Sequence, residues 1–297
     1  MEITFLGTSS AVHSYSRSHP SIALKAFGEI MLFDCGEGTQ RQLIYAKISP
    51  MKISKIFITH YHGDHILGIP GLLQSMNFRG RETKLTIYGP HGLDNLREAI
   101  SNLGFPNFDF PLEWIEIDSG TIIKNEEYVI KSQRVKHNTL TLAYSVEELK
   151  KPRFLREKAI ELGVPVGPDF GKLHNGISVE VDGKIIKPEQ VLGPPRKGHK
   201  ITYSGDTIPC EEMIDFAHDS SILIHESTYN IKDKDKAELH AHSTSADAAK
   251  IALQSNSKEL ILTHFSTRYT DVSDILKEAQ EIFKNTKMAK DLMKVVL

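Results

Sequence analysis

Residues 55–65 read Lys55-Ile56-Phe57-Ile58-Thr59-His60-Tyr61-His62-Gly63-Asp64-His65. Lys55–Thr59 is a short apolar run rich in β-formers, so it predicts a buried strand that ends directly on a histidine cluster. Three imidazoles and one carboxylate then fall within six residues. These are the side chains that bind zinc and similar divalent ions. Packing alone accounts for them poorly, because each ring would need its own polar partner if buried.

Working outward, the same setting recurs. His137 follows a predicted strand at Tyr128–Val135, Asp206 follows Ile201–Ser204 and a glycine, and His264 follows Leu260–Thr263. In layered α/β folds the carboxyl ends of strands gather along one edge, where ligands bind. Together these positions make seven candidate ligands: His60, His62, Asp64, His65, His137, Asp206 and His264. Seven exceed the needs of one tetrahedral ion with an open position. They suit two ions about 3.5–4 Å apart that share a carboxylate, and Asp206 is the candidate for sharing. No thiolate is required.

Around this centre the chain alternates strand-like and helix-like segments, which predicts an α/β architecture with helices covering sheets. Further strands are predicted at Met1–Leu6, Ser21–Lys25, Glu29–Phe33, Leu85–Tyr88, Leu112–Ile117, Leu140–Val146 and Ser221–His225. Helices are predicted at Gly38–Ala46, with Leu43 and Ile44 apolar, and at Gly92–Leu103. Two more are predicted at Ala246–Leu253, capped by Ser245 or Thr244, and at Asp274–Phe283, capped by Ser273.

The 297 residues include 36 Lys plus Arg and 38 Asp plus Glu, a formal charge of −2 that excludes a uniformly basic surface. That balance is uneven. Residues 150–200 hold 11 Lys/Arg against 6 Asp/Glu, with 7 of the 20 Gly and 6 of the 13 Pro, so this stretch is +5 and the remainder −7. A long loop of biased charge inside a compact protein is more often functional than filler. No run of about 18 apolar residues predicts a membrane span, and the N-terminus lacks the pattern of a signal peptide. Only Cys35 and Cys210 are present, which fits small core residues in a reducing cytoplasm.

The His60–His65 segment matches the H-x-H-x-D-H motif, and the chain resembles the metallo-β-lactamase superfamily. Within it the chain is similar to the RNase Z family, short form, over nearly its whole length. The resemblance is carried by Phe33-Asp34-Cys35-Gly36-Glu37-Gly38-Thr39-Gln40-Arg41-Gln42, Pro70-Gly71-Leu72-Leu73 and Gly205-Asp206-Thr207-Ile208-Pro209-Cys210. His225-Glu226-Ser227-Thr228, His242-Ser243-Thr244 and His264-Phe265-Ser266-Thr267-Arg268-Tyr269 carry it further. The first loop departs from the family pattern G-T-G-x-x-x-P-x-x-x-R-N: Arg17 keeps its place, but the second Gly, the Pro and the Asn are missing.

The resemblance implies an αββα sandwich, one nuclease domain over 1–297 with residues 150–197 inserted as a protruding, flexible exosite arm. It implies a cytoplasmic homodimer whose arm serves the partner subunit, and an endoribonuclease that removes the 3′ trailer of precursor tRNA and leaves a 3′-hydroxyl. Two zinc ions, with manganese as the alternative, would be held by His60, His62, His137 and Asp206, and by Asp64, His65, Asp206 and His264. Asp64 would act as base and His242 as acid for the leaving ribose oxygen, with Glu226 orienting the ring. Asp34 and His225 are candidates to fix the ligands. Ser266, Arg268, Arg17, Gly167, Pro168 and Lys172 are candidates for phosphate or RNA contact. Two rivals stay open: a hydrolase of small phosphodiesters or esters on the same fold, and a non-catalytic RNA-binding protein that has kept it.

Overall fold

The computed structural model describes residues 1–103 and 107–297. Six strands come first: β1 (Glu2–Gly7), β2 (Ser21–Ala26), β3 (Glu29–Phe33), β4 (Ile53–Phe57), β5 (Leu85–Gly89) and β6 (Leu112–Glu116). Then follow β7 (Gly120–Lys124), β8 (Tyr128–Val135), β9 (Thr141–Lys150), β10 (Val179–Val181), β11 (Lys184–Ile186) and β12 (Arg196–Tyr203). The last four are β13 (Ile222–Glu226), β14 (Leu260–Thr263), β15 (Thr286–Met288) and β16 (Lys294–Val296). Fourteen of them form two seven-stranded sheets, ordered β16-β1-β2-β3-β4-β5-β6 and β15-β14-β13-β12-β9-β8-β7, and β10 pairs with β11 alone. Strands β3 to β6 are parallel in the first sheet, and β12 to β15 in the second.

Alternation along the strands builds the layers. In β3 and β4, Leu32 and Ile56 join a cluster with Leu43, Leu72, Leu73, Met76, Leu93 and Ile100 from helices on the outer face. Their neighbours Phe33 and Phe57 turn the other way, onto Tyr144 of β9 at ring distances of 5.9 and 5.4 Å. Tyr203 of β12 meets Phe33 edge-on at 6.5 Å. On the far face of the second sheet, Leu223, Leu260 and Leu262 pack on Met213, Ala248, Ala252, Ile275 and Ala279 of three further helices. Helix, sheet, sheet, helix is the αββα sandwich. Burial on both faces explains why Ile56-Phe57-Ile58 reads as an unbroken apolar run.

Helix ends and faces add local detail to these expectations. In the helix Thr39–Tyr45, Leu43 is buried while Ile44, one step further round the helix, is 59% exposed. The helix Ser245–Gln254 is capped by Thr244, whose hydroxyl accepts from the Asp247 N–H while Asp247 accepts in return. Ser273 is the first helical residue rather than the cap, which is Val272; its hydroxyl donates to Asp271 at 2.8 Å. A helix at Ile69–Phe78 was hidden by Pro70-Gly71, but proline is well tolerated in a first turn.

The described chain divides into two compact units, Met1–Lys124, Ile130–Val146 and Lys200–Leu297 in one, Asn125–Val129 and Glu147–His199 in the other. The second unit has its own structure: helices Arg156–Glu161 and Pro168–His174, the hairpin β10–β11, and an apolar cluster of Ala159, Val164, Leu173, Val179, Ile186 and Val191. Cys35 and Cys210 are buried free thiols. Among the described residues, no helix is long and apolar enough to cross a membrane.

Phe57 has no exposed surface and lies between Phe33, Tyr88 and Tyr144. Phe57→Ala is expected to destabilise the protein by about 3–5 kcal/mol, measured by chemical denaturation.

Candidate metal centre

Parallel strands of both sheets end along one edge, and the candidate ligands stand there. His60 lies three residues beyond β4, His137 two beyond β8, Asp206 three beyond β12 and His264 one beyond β14. Gly205 makes the approach of Asp206 possible. It has φ +59°, and a Cβ there would stand 3.0 Å from Thr59. His264 itself has φ 60°, an uncommon conformation for a residue with a side chain.

All seven predicted ligands are brought together. Potential donor atoms of His60, His62, His137 and Asp206 lie within 4.8 Å of one another, as do those of Asp64, His65 and His264. Asp206 stands between the groups. Its Oδ2 is 3.6 Å from His60 Nε2 and 3.3 Å from His65 Nε2, and its Oδ1 is 3.4 Å from His264 Nε2. Asp64 Oδ2 is 3.6 Å from His65 Nε2 and 3.5 Å from His264 Nε2. Donors about 2.0–2.2 Å from a shared ion stand roughly 3.3–3.6 Å apart in tetrahedral geometry, so the spacing fits a metal. Asp206 Oδ1 is buried without a hydrogen-bond partner among the described residues, as suits an oxygen reserved for a cation.

Partners behind the rings fix which nitrogen faces inward. Thr228 Oγ1 donates to Glu226, so it accepts from His264 Nδ1 at 2.9 Å and leaves Nε2 as a lone pair. His137 Nδ1 donates to the Ala241 carbonyl at 2.6 Å. His65 Nδ1 donates to Asp34 Oδ2 at 2.8 Å. Asp34 also accepts from the Thr59 N–H, the Thr59 hydroxyl and the Tyr203 hydroxyl. Such outer contacts set ligand orientation and basicity. The backbone holds the loop as well: the Cys35 N–H donates to the His65 carbonyl, and the Gly68 N–H donates to the Cys35 carbonyl.

The electrostatics favour a bound cation. Burial keeps His60, His62 and His137 neutral, with His60 well below its ordinary pKa. Burial opposes the charge on Asp206, yet His264 and His65 hold its pKa well below the carboxylate range. At His65 burial is overcome by Asp206, Asp34 and Asp64, which draw positive charge to that position.

Beside this cluster, His242 Nδ1 donates to Glu226 Oε1 at 2.8 Å. Burial disfavours the imidazolium, but the Glu226 carboxylate prevails and raises the His242 pKa to about 9. The Thr207 and Thr228 N–H groups hold Glu226 in place.

Comparison with known proteins agrees with this geometry. A ribonuclease Z of Methanothermobacter thermautotrophicus is 56% identical over 295 residues, spanning 99% of this chain and 96% of the relative. The chain belongs to the ribonuclease Z family. A ribonuclease Z of Methanocaldococcus jannaschii is 50% identical, over 91% of this chain and 87% of that one. Human tRNase Z, short form, superposes with a TM-score of 0.72 at 29% identity, covering 100% of this chain and 99% of the other. The Bacillus subtilis metallo-β-lactamase fold protein YhfI, 17% identical with a TM-score of 0.72, covers 99% of this chain and 98% of its own, and shares the fold. A family model described as anti-Pycsar protein Apyc1 matches residues 1–147.

The remaining candidates of this ribonuclease Z relative fall in three settings. Arg268 Nε donates to Ser266 Oγ at 3.2 Å, and its guanidinium lies over the Tyr229 ring. Arg17 Nη2 donates to the Tyr269 carbonyl at 2.7 Å, bracing the turn that carries Ser266 and Arg268. Gly167, Pro168 and Lys172 are in the second unit, where Pro168 opens a helix and Lys172 pairs with Asp169 at 2.8 Å. His225 Nδ1 donates to the Glu226 carbonyl, which fixes backbone rather than a ligand. Thr59, Thr228, Tyr203 and Ala241 escaped sequence reading, since a lone hydroxyl or a backbone carbonyl has no motif. So did the Ala11 N–H, which donates to Asp64 Oδ2 at 2.8 Å.

Asp34→Ala removes the acceptor behind His65 and should weaken divalent-metal affinity by roughly 10–100-fold, read by competition against a chromogenic chelator.

Proposed function

We propose that this chain is a metal-dependent endoribonuclease that cuts the 3′ trailer from precursor tRNA and leaves a 3′-hydroxyl on the tRNA. The observation that carries this reading is the convergence of six other metal-type donors around Asp206, in a chain with full-length ribonuclease Z relatives. Two zinc ions, with manganese as the alternative, would be held by His60, His62, His137 and Asp206, and by Asp64, His65, Asp206 and His264. Ions so held make water acidic enough to ionise near neutral pH and offset charge on phosphoryl oxygens.

The protein's own groups handle the protons. Asp64, steadied by the Ala11 N–H, takes the proton of the attacking water. His242, kept protonated by Glu226, donates to the ribose 3′ oxygen as it leaves. Ser266 and Arg268 bind the scissile phosphate by charge-assisted hydrogen bonds, and Arg17 holds their turn.

The substrate body requires a wider grip. The domain spans 1–297, and its basic segment 150–197 serves as the exosite arm, with Gly167, Pro168 and Lys172 among its RNA contacts. In a homodimer the arm serves the partner's active site. The enzyme works in the cytoplasm, where its two buried cysteines remain thiols.

His242→Ala should keep its metal content and lose kcat by roughly 10²–10⁴ on a precursor tRNA; unchanged kcat would remove His242 as the acid. Deleting about residues 150–195 should abolish tRNA cleavage and spare a small phosphodiester. Equal loss of both would argue against the exosite reading.

A further inference from the structure

A second group of metal-type donors stands outside the seven. The His13 and His19 rings stack at 3.7 Å with 17° between their planes. His13 Nε2 is 3.7 Å from Glu37 Oε2. Donor atoms of all three residues lie within 4.8 Å of one another. None has a role in the chemistry proposed above.

His19 is the unusual member. It is 7% exposed, and neither ring nitrogen has a hydrogen-bond partner among the described residues. Buried polar atoms are normally paired, so two orphaned nitrogens beside another imidazole and a carboxylate call for a ligand. The surroundings are built to admit His19. A Cβ on Gly7 would stand 1.8 Å from the His19 carbonyl, and one on Gly36 would stand 2.5 Å from the His19 Cβ. His13 and Glu37 line a cavity of about 670 Å³, which gives an ion a way in.

We propose, independently of how the seven-donor centre is read, that His13, His19 and Glu37 form a further binding site for a borderline divalent cation such as zinc. Two imidazoles and one carboxylate select that class over magnesium or calcium, which favour all-oxygen sets. Three protein ligands leave positions for water, so this site binds more weakly than a closed four-ligand site.

The site bears on the main centre through the backbone. His13 and His19 lie on the loop whose Ala11 N–H holds Asp64, and Gly36 packs against the Asp64 carbonyl. A cation at His13, His19 and Glu37 ties this loop to the Gly36–Gly38 turn. It thereby stiffens the support of Asp64 without touching substrate.

The test compares metal content of the purified holoprotein with that of His13→Ala and Glu37→Gln, each equilibrated at about 10 μM free zinc. His13 and Glu37 are exposed, so neither change disturbs the core. Wild type is expected to hold one zinc per chain more than either variant. Calorimetric titration should show that ion bound at least about tenfold more weakly in both. Equal zinc content and equal titrations in all three proteins would overturn the inference and leave the seven-donor reading intact. Loss of all bound zinc in the variants would also overturn it, because the cluster would then not be a separate site. Wild type holding fewer than one zinc per chain would contradict both.

Discussion

A single buried carboxylate organises the active edge of this protein. Asp206 is surrounded by imidazoles from both sheets, and one of its oxygens has no hydrogen-bond partner among the described residues. A carboxylate so placed is costly unless cations are near. Its burial therefore calls for positive charge at the site, and the histidines around it are spaced so that they could hold a metal ion. Much of the surrounding structure serves that arrangement. Gly205 brings the Asp206 turn against Thr59, Asp34 anchors the His65 ring, and Tyr203 carries the anchor across to the second sheet.

The αββα sandwich explains why the ligands can be so far apart in sequence. Parallel strands share a direction, so their carboxyl ends fall on one edge. Each ligand then needs only a short loop to reach the centre. Phe33, Phe57, Tyr144 and Tyr203 pack the sheets together beneath that edge.

How much of this was legible in the sequence follows from the physics of each part. The His60–His65 cluster and the strand-end positions of His137, Asp206 and His264 were readable because ligand chemistry admits few residue types. The αββα layering was legible through the family motifs, since apolar runs alone do not say how sheets pair. The Ser273 cap was misread because a residue type suited to capping does not by itself fix where a helix starts. Thr228 and Thr59 could not be found, because their role depends on where three-dimensional packing sends a hydroxyl. His13 and His19 form no motif in the sequence; only their stacking and the burial of His19 bring them into one cluster with Glu37. The charge of −2 was the least informative number, since it sums a basic segment and an acidic remainder.

The most direct test is to incubate the purified protein with a precursor tRNA bearing a 3′ trailer and map both product ends, with and without chelator. The account predicts one internal cut that yields tRNA ending in a 3′-hydroxyl and a trailer beginning with a 5′-phosphate, and loss of that cut on chelation. Cleavage that persists in chelator, or an intact precursor with metal present, would contradict it.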